Sequence, residues 1–180
     1  MEQRVIRKEV VVNASQKEVW NAWTSSEGTK LFFAPEANIK LSVGGSYELF
    51  FDLDAPVGSR GGEGLKVLSY LPMEMLSFEW NAPPQFPEVR EGSLTWVVVQ
   101  FSACDRKQVS VKLTHLGWRE GEEWAKVYQY FKNAWDIVLG RLEYIYSGGT
   151  IDWNNPYRPP QGKTYEVRYA RRPVPKFTHR

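Results

Sequence analysis

One stretch of this sequence leaves its fold little freedom. Between Glu122 and Tyr146 the apolar residues Trp124, Val127, Tyr128, Phe131, Trp135, Val138, Leu139, Leu142 and Ile145 recur at three- and four-residue steps. That spacing predicts an amphipathic helix of roughly six to seven turns with one continuous apolar stripe. Gly148-Gly149 ends it, as a left-handed cap does. A helix this long with one dry face has to lie against something of comparable size.

The preceding chain supplies that partner. Val5 to Val12 reads as a first strand that stops at Asn13-Ala14. Ser15-Gln16-Lys17-Glu18 has the capping-box form, and Val19, Trp20 and Trp23 then share one face of a short helix. Ser26-Glu27 starts a second short helix that Pro35 closes. From there to residue 116 the pattern is that of strands: 39–41, 47–51, 65–67, 76–80, 95–101 and 108–116. Residues 82–92 hold three prolines and read as a loop. Sequential strands joined by short turns favour an antiparallel meander. The expectation is an α+β fold: a curved antiparallel sheet of six to seven strands, with two short helices after strand 1. The long C-terminal helix covers the concave face.

Composition narrows the class. The chain has 180 residues, enough for one domain with a real core. Its eight Trp, nine Tyr and nine Phe are more than a bare core of this size usually needs, so composition leaves open a pocket, an interface or an aromatic-rich core. A net charge of +2 does not argue for nucleic acid, but the charge is uneven. Residues 151–180 carry seven basic side chains against Asp152 and Glu166, whereas the first 150 residues carry sixteen basic and nineteen acidic ones. A mildly acidic body, 1–149, is thus followed by a basic, proline-rich extension, 150–180. Within it Thr164 to Tyr169 alternates like a strand, and we expect this segment to lie along the body or a neighbouring subunit. The single Cys104 excludes an internal disulfide, and no apolar run is long enough to span a bilayer. The N-terminus lacks the pattern of a signal peptide, so the expected address is the cytoplasm.

The chain resembles the START/Bet v 1-like superfamily, and within it the Hsp90-ATPase-activator-homologue-like (AHSA1-like) proteins, over residues 3–147. The carriers are Val11-Val12-Asn13-Ala14-Ser15 with Glu18-Val19-Trp20 and Trp23-Thr24, then Gly44-Gly45-Ser46-Tyr47. Gly64-Leu65-Lys66-Val67, Leu76-Ser77-Phe78-Glu79-Trp80 and Leu113-Thr114-His115-Leu116-Gly117-Trp118 follow, and Trp135, Leu139, Leu142 and Gly148 close the order. It departs in having Phe32-Phe33 where the family often has Trp, and in the extension beyond residue 150. The resemblance implies a helix-grip fold with a cavity between sheet and helix. It implies no fixed activity, since relatives include ligand carriers, cyclase-like enzymes and co-chaperone domains.

Strand parity and helical face name the residues that would line such a cavity. From the sheet these are Tyr47, Leu49, Phe51, Phe78, Trp80, Trp96, Val98, Val109, Val111 and Leu113; from the helix, Phe131, Trp135, Val138 and Leu142. His115 is the weak catalytic candidate, with Tyr47 or Glu79 as acid/base partner. A structural role for it is the stronger reading, because it shares a strand face with Leu113. No metal is expected, since two histidines 64 residues apart and one cysteine match no ligand spacing. No cofactor is expected either, because the glycines at 58, 61, 62 and 64 follow no phosphate-loop pattern. The favoured expectation is binding of a small hydrophobic or amphipathic molecule. Alternatives are a cyclase- or hydrolase-like enzyme using His115 and tyrosine hydroxyls, and a protein-interaction module. The extension leaves a homodimer or another protein partner open, and nucleic acid is not favoured.

Overall fold

The computed structural model describes residues 4–167. Strand β1 (Ile6–Val12) is followed by helices α1 (Gln16–Thr24) and α2 (Ser26–Lys30). The predicted capping box starts α1: the Ser15 amide donates to Glu18 Oε2 at 2.8 Å, and the Glu18 amide to Ser15 Oγ at 3.3 Å. Six strands then run antiparallel: β2 (Glu36–Ile39), β3 (Tyr47–Phe50), β4 (Val67–Leu71), β5 (Met75–Trp80), β6 (Thr95–Ala103) and β7 (Val109–Leu116).

The seven strands form two ladders, a five-stranded sheet in the order β1-β7-β6-β5-β4 and the pair β2-β3. Backbone bonds stitch the two together. The Tyr47 amide donates to the Leu65 carbonyl, and the Gly62 amide to that of Leu49, both at 2.8 Å.

Three elements depart from expectation: the strand expected at 39–41 is Glu36–Ile39, the one expected at 65–67 is Val67–Leu71, and a helix interrupts 82–92. Residues 82–92 do not form only a loop, because Pro87–Gly92 is a short helix, α3. Pro87 occupies its first turn, where a missing N–H costs nothing, so the prolines that suggested a loop also permit a helix start.

The long helix α4 (Glu122–Ile145) lies where the apolar stripe placed it. Its cap is left-handed at Gly148, φ 93°, and the Gly149 amide donates to the Tyr144 carbonyl at 3.0 Å. Its buried side chains, among them Val127, Phe131, Trp135, Leu139 and Leu142, share one core with the inner faces of the strands. β1 contributes Ile6, Lys8, Val10 and Val12 to that face, all buried. Lys8 is there because α4 offers it a partner: its ammonium is 2.8 Å from Asp136 and 3.2 Å from Glu166.

Glu166 belongs to the extension, which packs on this same chain. Residues 150–167 cross the back of α4 and reach β1. The Tyr157 ring stacks on Tyr144 at 4.0 Å, and Trp153 donates from its indole to the Lys30 carbonyl at 3.0 Å. Gly140 makes room for the crossing, since a Cβ there would lie 2.9 Å from Pro159 Cγ. The Tyr165 hydroxyl donates to Glu143 at 2.6 Å, and its carbonyl accepts from the Glu9 amide at 2.8 Å. With the antiparallel bridge between Lys8 and Glu166, the end of the described chain adds to the β1 edge. Tyr169, the last residue of the alternating segment, lies outside the described residues.

Candidate functional site

Beneath α4 the interior is filled at one end and open at the other. A cavity of about 530 Å³ opens at the C-terminal half of the helix. Phe131, Trp135, Val138 and Arg141 face it from α4, following the i, i+4, i+7 rhythm of one helical side. The opposite walls are irregular chain, from Phe51 to Gly61 and from Trp80 to Gln85.

The floor is aromatic. Phe33, Trp80 and Trp135 are buried and lie 5.5–5.7 Å apart, centroid to centroid, in each pairing. The indole N–H groups of Trp80 here and of Trp23 in the closed core are both buried with no acceptor among the described residues.

The mouth is held by Arg90 from α3. Its guanidinium donates to the Ala82 carbonyl at 2.6 Å and to those of Gly58 and Gly61 at 2.7 and 2.9 Å. Glu63 sits 3.9 Å from it and accepts the amides of Gly58 and Arg60. Desolvation lowers the pKa of Arg90, and Glu63 opposes that shift. One arginine thereby ties two irregular walls together, in a segment that reads as loop in the sequence.

Of the residues predicted to line a cavity, Phe51, Trp80, Phe131, Trp135 and Val138 do so. Tyr47, Leu49, Phe78, Val109, Val111, Leu113 and Leu142 are buried in the core away from it. Trp96 and Val98 are a correction. Trp96 is 39% exposed and Val98 half-buried, while Val97, Val99 and Phe101 point inward. The strand is apolar in both phases, so alternation alone does not choose between them. The sequence also did not place Phe33, Arg60 and Arg141 in the lining, or Arg90 beside it. Only Arg141 had a local pointer, three residues after Val138 on α4.

His115 is at the filled end, fully buried and outside the cavity lining. The Trp135 indole donates to its Nδ1 at 3.0 Å, which makes that nitrogen an acceptor. Nε2 therefore carries the proton and donates to Thr95 Oγ1 at 2.7 Å, and that hydroxyl donates onward to the Trp80 carbonyl at 3.0 Å. Burial pushes the imidazole pKa well below its ordinary value. Both ring nitrogens are committed, so the geometry is that of a structural histidine.

The proposed acid/base partners are elsewhere. The Tyr47 hydroxyl donates to the Trp23 carbonyl at 2.9 Å under a ring stacked on Phe78, and burial raises its pKa well above the ordinary value. Glu79 accepts the Lys66 amide at 3.0 Å. Among the described residues no three His, Cys, Asp or Glu side chains gather as a metal site requires, and no helix is long and apolar enough to cross a membrane.

Residues 13–146 match the model of a family described as activator of Hsp90 ATPase homolog 1-like protein. A search of curated proteins returns no match. Solved structures share the fold. Protein MLL2253 from Mesorhizobium loti superposes with a TM-score of 0.64 at 18% identity, covering 81% of this chain and 98% of that one. Protein SSP2350 from Staphylococcus saprophyticus gives 0.62 at 17% identity, with 83% and 96% covered. PFC0360w, an HSP90 activator from Plasmodium falciparum, gives 0.56 at 22% identity, with 79% and 96% covered.

Proposed function

The chain belongs to the activator of Hsp90 ATPase homolog 1-like family, and on that premise we propose that it binds a small hydrophobic or amphipathic molecule in the cavity beneath α4. The observation that carries this reading is the aromatic floor of Phe33, Trp80 and Trp135 under a space of about 530 Å³. Small-molecule sites run from about 300 to 1,000 Å³ and are mostly apolar with a few polar groups, which this one matches. Seven strands and a helix could have closed on one another completely, as they do around His115.

Titration with N-phenylnaphthylamine, an uncharged dye that brightens in apolar surroundings, tests the reading. We expect saturable binding of one dye per chain. Ala134 lines the cavity half-buried, so Ala134→Trp fills the space from the helix side. We expect that variant to weaken binding by about tenfold or more, a loss of ~1.4 kcal/mol, with the melting temperature held. Dye binding that ignores Ala134→Trp would remove the cavity from the account.

A protein-interaction role is the second reading. It is favoured by Leu53 and Val57, 50% and 82% exposed on the loop that forms one cavity wall, and by the Hsp90-activator name of one structural relative. Stimulation of a purified Hsp90 ATPase by this chain, lost in a Leu53→Ser/Val57→Ser variant, would support it. An unchanged ATPase rate at saturating protein would end it.

A further inference from the structure

The cavity is apolar in its floor but not in its charge. Arg60, Arg141 and Asp52 are the ionised side chains that line it. Asp52 is exposed, and its Oδ1 accepts the amides of Asp54 and Ala55 at 3.1 and 3.2 Å, so the carboxylate is engaged in shaping its own loop.

The two arginines are far less engaged. A guanidinium offers five N–H donors in a fixed fork. Arg60 spends Nε on the Ala55 carbonyl at 2.9 Å, and Arg141 spends Nε on the Tyr157 carbonyl at 3.0 Å. Among the described residues neither makes a further side-chain hydrogen bond or has a carboxylate within ion-pair distance. Arg90, a few residues from the same mouth, shows the contrast: three carbonyls and Glu63 surround its guanidinium.

Arg141 is the sharper case. It lies half-buried over the Trp153 ring at 5.2 Å, and desolvation and the positive charge of Arg158 both lower its pKa. A cation held out of water beside another cation, with most of its donors unused, gains from any anion that arrives with the right shape.

We propose that the cavity is selective for an amphipathic anion, a molecule whose apolar body lies on the ring floor and whose single carboxylate or sulfonate meets the Arg60 and Arg141 donors. The inference rests on the cavity being a binding site and adds the charge class of its ligand. An uncharged body of the same size would fill the floor but leave those donors unmatched. A cationic one would meet two arginines and find only Asp52 in return.

A matched pair of dyes separates the two claims. Anilinonaphthalene sulfonate and N-phenylnaphthylamine share a ring system and differ by the sulfonate. On the wild-type chain we expect the sulfonate to bind at least about tenfold more tightly, the scale of a desolvated charge-assisted contact. Arg141→Gln and Arg60→Gln should each remove most of that advantage, read as the ratio of the two dyes' affinities for the same variant. Because Arg141 also holds Tyr157, thermal unfolding checks that each variant keeps its fold. Arg60 lies on a surface loop and provides an independent second variant.

If the neutral dye binds in the cavity and the sulfonate shows no advantage, the charge class is wrong and the cavity reading stands. An advantage that survives both substitutions overturns the assignment to these arginines. If neither dye binds, the cavity reading falls and this one with it.

Discussion

The space under α4 has two ends built from the same helix and nearly the same kinds of side chain, yet only one is open. At the filled end His115 lies against Trp118, Phe131 and Trp135, with ring centroids 4.3, 5.1 and 5.8 Å away. Its walls are β6 and β7, whose side chains arrive at the fixed spacing of paired strands and interdigitate. At the open end Val138 and Arg141 of the same helix face irregular chain, where glycine and proline set the path and no ladder delivers side chains at regular steps. The difference teaches that aromatic content does not make a cavity. Trp23, packed edge-on to Phe32 at 5.1 Å and to Phe101 at 6.4 Å, uses comparable rings to close space completely. Room appears where the sheet gives way to loop.

Substitutions that strike one end and spare the other can break this contrast. Trp135 belongs to both ends, lining the cavity and bonding His115, so Trp135→Ala should have the largest effect. We expect a loss of about 3–5 kcal/mol in urea unfolding, as for other buried aromatic truncations. A loss under 1 kcal/mol would mean that the two ends share less than the contacts imply.

Next comes the pH response of the filled end. His115 is neutral in the folded chain, whereas an unfolded histidine takes up a proton below about pH 6.5. The unfolded state therefore binds more protons there, and this contribution to stability is complete above that pH and declines as pH falls through it. The decline has a limiting slope of about 1.4 kcal/mol per pH unit. His115→Gln should be less stable at neutral pH yet flatter between pH 7 and 5. A slope that is unchanged in the variant would place the titration elsewhere.

The smallest effect should be at the open end. Val138 is already beside empty space, so Val138→Ala should cost only about 1 kcal/mol, at the low end for a buried truncation. The same change should leave the pH slope of the filled end untouched, which would sharpen the contrast; a cost near 3 kcal/mol would blur it.

Much of this was legible in the sequence, for reasons specific to each element. The α4 stripe is visible because one buried face repeats over 24 residues, and the capping box of α1 is a local reciprocal bond. Five of the seven strands are legible in place because turns punctuate them, whereas β2 and β4 meet the expected 39–41 and 65–67 only at Ile39 and Val67. β6 was misread because Trp96 and Val98 compete with Val97 and Val99 for the inner face. Pairing decides it: Trp96 lies across from Glu79 and Leu116, and Val97 from Phe78 and His115. Lys8 looks like a solvent-facing charge until Asp136, 128 residues away, is brought to it. Phe33 and Arg60 reach the cavity through chain that has no periodicity, and nothing in their neighbours announces them. His115 gave a true signal of a different kind, a polar side chain on a core face that marks a closed hydrogen-bond chain.

The bonds between residues 165–167 and β1 carry a consequence for how this chain behaves among its neighbours. An outermost strand presents a row of unsatisfied amides and carbonyls, which is a template for any other extended chain in a concentrated solution. Here the Glu9 amide is taken by Tyr165, and the Arg7 carbonyl by the Val167 amide at 3.4 Å. The extension thus acts as an edge guard, written into the same polypeptide and therefore present at a fixed, high local concentration. It is anchored by a buried Lys8 rather than by apolar area alone, so one side of the sheet is protected from adventitious pairing before any partner is met.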